Sequence, residues 1–220
     1  MKYIAILFAA LLPWYSIPTV QSPETQEIVY KINQHITKQQ MAEIMAIEES
    51  KITDELMNDF YQAMDLFGLD AINIAYFLGQ VGHESKSLKH TIELHDGSRY
   101  EWRQDLGNTY SGDGVLYAGG GFLQLTGRAN YQNFYNYLKT KGIKDPKILS
   151  HGKHHVGKHY PWTSGVWWWS HNKMIEYCKM RPTVRQVSAK VNGKYWANGL
   201  QDRQVYSKRA FTVLNLSYPG

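Results

Sequence analysis

The sequence predicts a mainly helical domain with some α+β character, interrupted by one loop-rich region or small β-hairpin. Three observations carry that prediction. Apolar residues recur at three- and four-residue intervals through most of the chain, the period of a helix with one buried face. Helix punctuation flanks these runs, with Asp70 ahead of one and Gly68 and Gly142 behind two others. Between Gly97 and Gly127 the period breaks. That stretch holds Gly97, Gly107, Gly112, Gly114, Gly119, Gly120, Gly121 and Gly127, interleaved with Tyr100, Trp102, Tyr110, Tyr117 and Phe122. Glycines let backbone approach a polymer closely, and aromatic faces suit the C–H faces of sugar rings, so this region is expected to line a substrate cleft.

In chain order, Lys2 precedes the apolar run 4–12 and then Pro13, the pattern of an export signal over residues 1–22. No charge occurs from Tyr3 to Pro23, which also allows an uncleaved membrane anchor. Residues 23–36 read as a short segment, and 37–220 as one domain. Within it, helices are expected over 41–47 and 52–67, the latter from Ile52, Leu56, Phe60, Met64 and Phe67. The next runs from Asp70, a natural N-cap, through Ala71, Ile74, Phe77, Leu78 and Val81 to Glu84. After the glycine-rich region come 131–141, 164–180, 183–191 and 201–214.

With 43% hydrophobic and 14% aromatic residues, 220 residues suffice to bury one sizeable core. The net charge of +5 suggests attraction to anionic matter. The basic residues are scattered, with no arginine-rich helix or nucleic-acid motif, so nucleic acid is not expected as a partner. His83-Glu84 begins a zinc-hydrolase pattern, but position 87 is Ser87, which breaks the ligand spacing. His151, His154, His155 and His159 are interleaved with Lys153 and Lys158, which points to a solvated basic loop; no metal and no cofactor are expected. The lone Cys178 excludes a disulfide within these residues and reads as an inert core thiol.

The chemistry points to Glu84 and Glu93. Glu84 ends the apolar helix, among neighbours that would hold its carboxyl protonated. Were the helix to continue, Glu93 would face the opposite side, roughly 13 Å further along the axis. Acid–base hydrolysis of a glycosidic bond with inversion wants two carboxyl groups about 6.5–9.5 Å apart. A catalytic pair therefore requires the helix to stop first, and His95-Asp96-Gly97-Ser98 supplies turn residues. On spacing alone, a paired glutamate and an unrelated surface charge explain the window equally well.

Longer motifs decide between these readings. The run Tyr100-Glu-Trp-Arg-Gln-Asp-Leu-Gly-Asn-Thr109, then Gly112-Asp-Gly114, Tyr117 and Gly119-Gly-Gly-Phe-Leu-Gln-Leu-Thr-Gly-Arg-Ala-Asn-Tyr131, resembles glycoside hydrolase family 19. That family comprises chitinases and phage or bacterial endolysins with a lysozyme-like fold. Residues 77–85 resemble its F-L-x-Q-x-G-H-E-S helix, and Ser164-Gly-Val-Trp-Trp-Trp-Ser170, Val191-Asn-Gly193 and Asn198-Gly-Leu-Gln-Asp-Arg203 resemble its later motifs. The resemblance extends from about Thr37 to the C-terminus.

It implies Glu84 as general acid, Glu93 as general base and Thr126 as the hydroxyl that positions the attacking water. Asn130 and Asn192 match sugar-binding amides, Gln124 and Tyr131 complete the cleft, and His83, Tyr100 and Glu101 join the substrate-binding set, Glu101 also being the second choice for the base. Where the family has Gly-Arg-Gly this chain has Gly119-Gly120-Gly121, which loses a cation beside a carboxylate, and Trp102 replaces a usual glycine. The implied activity is endo-acting, inverting hydrolysis of a β-1,4-linked N-acetylhexosamine backbone; the N-terminal signal, the basic charge and the likeness to the endolysin branch favour that of peptidoglycan, and an exported monomer is expected. Hydrolysis of chitin is the alternative, a non-catalytic glycan-binding descendant a lesser one. A lytic transglycosylase would need only one glutamate.

Overall fold

A computed structural model describes residues 36–220, which form one compact unit; the expected export signal and nearly all of the 23–36 segment lie outside the described residues. The unit is built of helices α1 (Lys38–Met45), α2 (Asp54–Phe67), α3 (Ala71–Glu84), α4 (Asp113–Leu116), α5 (Arg128–Thr140), α6 (Lys147–Ser150), α7 (Gly152–His159), α8 (Pro161–His171), α9 (Met174–Lys179), α10 (Val184–Asn192) and α11 (Leu200–Val213). No helix among the described residues is long and apolar enough to cross a membrane.

Local chemistry accounts for the boundaries. Thr37 and Thr183 close capping boxes with Gln40 and Gln186, Thr53 and Asp70 cap α2 and α3, and Gly68 ends α2 in the left-handed conformation. Helix α3 is buried almost throughout, from Asn73 to Gly82, and forms the axis of the main core with α2, α8 and α11. Trp162 of α8 is fully buried there, with the rings of Phe60, Phe77 and Phe122 packed on it at 4.4–6.2 Å. Asp59 of α2 caps α8 from outside, accepting from the amides of Trp162 and Thr163 and from the Thr163 hydroxyl. A second cluster, around Phe134, Trp167 and Ile148, fastens α5 and α6 to the other side of α8.

Two expectations are corrected. The helix expected over 164–180 is two helices, divided where Lys173 takes a left-handed φ of 56°. The histidine-rich stretch is not a solvated basic loop but α7. Its buried face is Gly152, Lys153, Val156 and Gly157, and His155 is paired with Asp145 at 2.6 Å. Of the two alternatives for the region 97–127 the loop is the one found: it holds short helical turns, with two isolated antiparallel bridges, Ile92 to Gly120 and Gly120 to Leu125. Cys178 is buried, and burial pushes its thiol up to about 12.

Candidate active site

Helix α3 stops at Glu84, and the way it stops places Glu93. Lys86, Ser87 and Leu88 follow with left-handed φ values of 50°, 57° and 64°, a sharp reversal of the chain. Ser85 fixes it: its hydroxyl donates to the Val81 carbonyl and accepts the Leu88 amide, while the Ser87 amide returns to Gly82. Residues 91–93 then run beside 119–121, with Gly121 N donating to Thr91 O at 2.7 Å and Glu93 N to Gly119 O at 2.8 Å. Glu93 has left the helix, as a catalytic pair requires.

Around Glu84 the determining contact is the α3–α11 seam. Ser207 and Tyr206 lie directly over Gly79 and Gly82, so the two helix backbones come close. That register brings Arg203, 1% exposed, against Gln80 and Glu84: Nη1 donates to Gln80 Oε1 at 2.8 Å and Nη2 to Glu84 Oε1. Its Nε donates to the Asn198 carbonyl at 3.0 Å. One helical position back, His83 Nδ1 meets Asp202 Oδ2 at 2.7 Å. Asn192 Oδ1 accepts the Asn198 amide, which closes the connection between α10 and α11. The apolar enclosure expected of Glu84 is therefore replaced by a guanidinium, and its side chain is 28% exposed.

Glu93 occupies a second polar pocket and its side chain is 11% exposed. Oε1 accepts from Arg99 Nη2 at 2.6 Å and from the Tyr100 hydroxyl at 3.1 Å, and Oε2 accepts the Gly119 amide at 3.0 Å. The turn at 95–98 delivers those donors: Asp96 Oδ1 accepts both the amide and the hydroxyl of Ser98, and buried Lys153 donates to the His95 and Asp96 carbonyls. The backbone around Tyr100 is held in turn. Asn108 donates to the Tyr100 carbonyl and accepts the Arg128 amide, while Asp113 pairs with the Arg128 guanidinium.

The remaining expected residues divide between lining and support. The Gln124 side chain lies over Gly119 next to Glu93, and its amide donates to the Gly121 carbonyl. Thr126 donates to the Gln124 carbonyl and Asn130 to the Thr126 carbonyl, so the three form one ladder that starts at Gln124 beside Glu93. Tyr131 is not at a cleft surface: it is fully buried, and its hydroxyl donates to the Ala118 carbonyl. Glu101 is likewise engaged, both of its oxygens accepting backbone amides, from Gly112 and Gly114. His83, Glu84 and Asn192 thus belong to one cluster, and Tyr100, Glu93, Gln124, Thr126 and Asn130 to another, with 85–92 as the chain between them.

The expected loss of a cation at Gly120 does not leave either carboxylate without one. A Cβ at this position would meet the Tyr131 hydroxyl at 2.5 Å and the Lys153 backbone at 3.1 Å, so a side chain here would require Tyr131 and its surroundings to shift. The cations come instead from Arg99 and Arg203. Neither stands out as a partner in the sequence, although Arg203 ends the motif 198–203 and Arg99 adjoins Tyr100. Trp102 has φ 60°, a backbone that suits the glycine it replaces, and stands 61% exposed.

Bacterial chitinases are among the solved structures that superpose on this chain. Chitinase C from Streptomyces griseus superposes with a TM-score of 0.60 at 20% identity, over 83% of this chain and 77% of that one. The chain has the fold of the family 19 chitinases. A second bacterial family 19 chitinase gives a TM-score of 0.62 at 19% identity, covering 84% of this chain and 97% of that one. A mutant form of chitinase C gives 0.60 at 17%, covering 83% and 93%. No family model matches the sequence.

Proposed function

We propose that this protein is an endo-acting glycoside hydrolase that cleaves the β-1,4-linked N-acetylhexosamine backbone of peptidoglycan with inversion. The observation that carries the proposal is the pair of carboxylates, Glu84 at the end of a buried helix and Glu93 outside it, each held by its own arginine. The likeness to chitinases supports a polysaccharide substrate of this linkage.

Glu84 is the general acid. Arg203 holds Oε1, so the proton for the leaving glycosidic oxygen belongs on Oε2. Glu93, ionised, takes a proton from the water that attacks the anomeric carbon from the opposite face. Arg99, Tyr100 and the Gly119 amide fix the Glu93 carboxylate in one orientation, and Thr126, bonded to the Gln124 carbonyl, takes the role of the hydroxyl that orders the water. Asn130 and Asn192 serve the sugar amides. Export through residues 1–22, and action as a monomer outside the cytoplasm, belong to the same proposal.

The net charge of +5 favours an anionic wall polymer over uncharged chitin. Digestion of purified sacculi beside colloidal chitin, with mass analysis of products, tests this directly. Soluble reducing fragments are expected from sacculi, and Glu84→Gln, which keeps an acceptor for Arg203, should lower their release on the order of 10²–10⁴-fold. Release from chitin alone would assign the chitinase reading, and near-normal turnover by the variant would remove Glu84 from the mechanism.

A further inference from the structure

Tyr195 and Trp196, in the connection between α10 and α11, are 66% and 68% exposed. They are nevertheless fixed. The Arg185 guanidinium lies 4.9 Å from the Tyr195 ring centre and 5.3 Å from that of Trp196, and donates to the Tyr195 hydroxyl at 2.7 Å. The two rings meet edge to face, 5.2 Å apart and at 86°. Exposed rings already held in place lose little rotamer freedom on binding, which is the property of a preorganised contact surface.

The same connection is tied to the Glu84 cluster. Asn198 donates its amide to Asn192 and its carbonyl accepts from Arg203, while the Gly199 backbone lies against the His83 ring. Ala197, between the rings and these ties, is buried. The aromatic pair therefore stands at a fixed displacement from the acid. An endo-acting hydrolase leaves its polymer running out of the site on both sides, so a fixed aromatic surface tied to the cluster is placed to meet the strand.

We propose that Tyr195 and Trp196 form a stacking platform for an N-acetylhexosamine unit of the bound strand, beyond the sugars flanking the scissile bond. The C–H face of a pyranose ring packs on an aromatic face, and Arg185 and Lys194 beside the rings suit a strand that carries carboxylates. This inference rests on the hydrolase reading of the Glu84 site.

The test is calorimetric binding to the Glu84→Gln chain, with and without Trp196→Ala, of N-acetylglucosamine oligomers and of peptide-free peptidoglycan strands, each as a short and a long fraction. With Trp196 present, affinity is expected to rise with length. Trp196→Ala is expected to weaken the long fraction about tenfold and the short fraction much less, with Trp196→Phe retaining most of the affinity. Equal affinity of Trp196→Ala and its parent for the long fraction would overturn the platform while leaving the hydrolase reading intact. Self-association of the chain that Trp196→Ala abolishes, with glycan binding unchanged, would assign the pair to a second copy instead. Absence of binding to either polymer, together with no reducing ends from the unmodified chain, would overturn both readings.

Discussion

Glu93 and Glu101 are eight positions apart in one loop, and the atoms around them separate their roles. Both oxygens of Glu101 accept backbone amides that hold the start of α4, whereas Glu93 is met by side-chain donors from Arg99 and Tyr100 and by the Gly119 amide. Glu93→Gln is therefore expected to lose activity on the order of 10²–10⁴-fold. Glu101→Gln turns an amide group toward a backbone N–H and is expected to lose about 1–3 kcal/mol of stability, with a smaller loss of turnover. Turnover and urea denaturation on the two variants check this; a larger catalytic loss in a still-folded Glu101→Gln would exchange the assignments. At this scale the sequence marked both glutamates, because motifs and local spacing identify them. It did not assign the arginines. Arg203 reaches Glu84 across 119 positions of chain, and that contact exists only once α3 and α11 are packed.

Among elements, the reversal after α3 carries the greatest local strain. Left-handed backbone costs a non-glycine residue about 1–2 kcal/mol, and Lys86, Ser87 and Leu88 adopt it in succession. Lys86 is exposed, so Lys86→Gly is expected to raise stability by about 1 kcal/mol in urea denaturation; a decrease would contradict the strain. The cap on α8 makes a pH prediction. Burial raises Asp59 to about 6, against hydrogen bonds from Thr163 and Trp162 that favour its ionised form. The folded chain then holds this proton more tightly than the unfolded chain, so between about pH 4 and pH 6 stability falls as pH rises, by about 3 kcal/mol. The wild-type unfolding free energy should lose that amount relative to Asp59→Asn over this window. A relative gain for the wild type would show that the cap hydrogen bonds outweigh burial. Most helices were legible from period and caps. Helix α7 was hidden because its core face holds one apolar side chain, Val156, beside two glycines and a lysine: Gly157 packs against Thr91 and Ile92, and Lys153 spends its ammonium on two carbonyls. The break at Asn172 and Lys173 was hidden by apolar residues on both sides.

For the molecule as a whole, a helical body read from amphipathic period and the observed fold agree, while the small hairpin reduces to two bridges because 97–127 is held by side-chain ties. Asn108, Asp113, Glu101 and Arg128 do there what a β-ladder does elsewhere, and such pairings leave no periodic trace in a sequence. The division of labour follows from this construction: the packed helices fix Glu84, and the tied loop fixes Glu93. Two carboxylates on opposite faces of a glycosidic bond, with a water before one of them, give inversion. Proton NMR of the first reducing ends released from glycan strands measures that outcome directly. The α-anomer is expected to appear first with the unmodified chain and to be lost with Glu84→Gln, whereas initial β-anomer, or anhydro-sugar ends without hydrolysis, would contradict the two-glutamate mechanism.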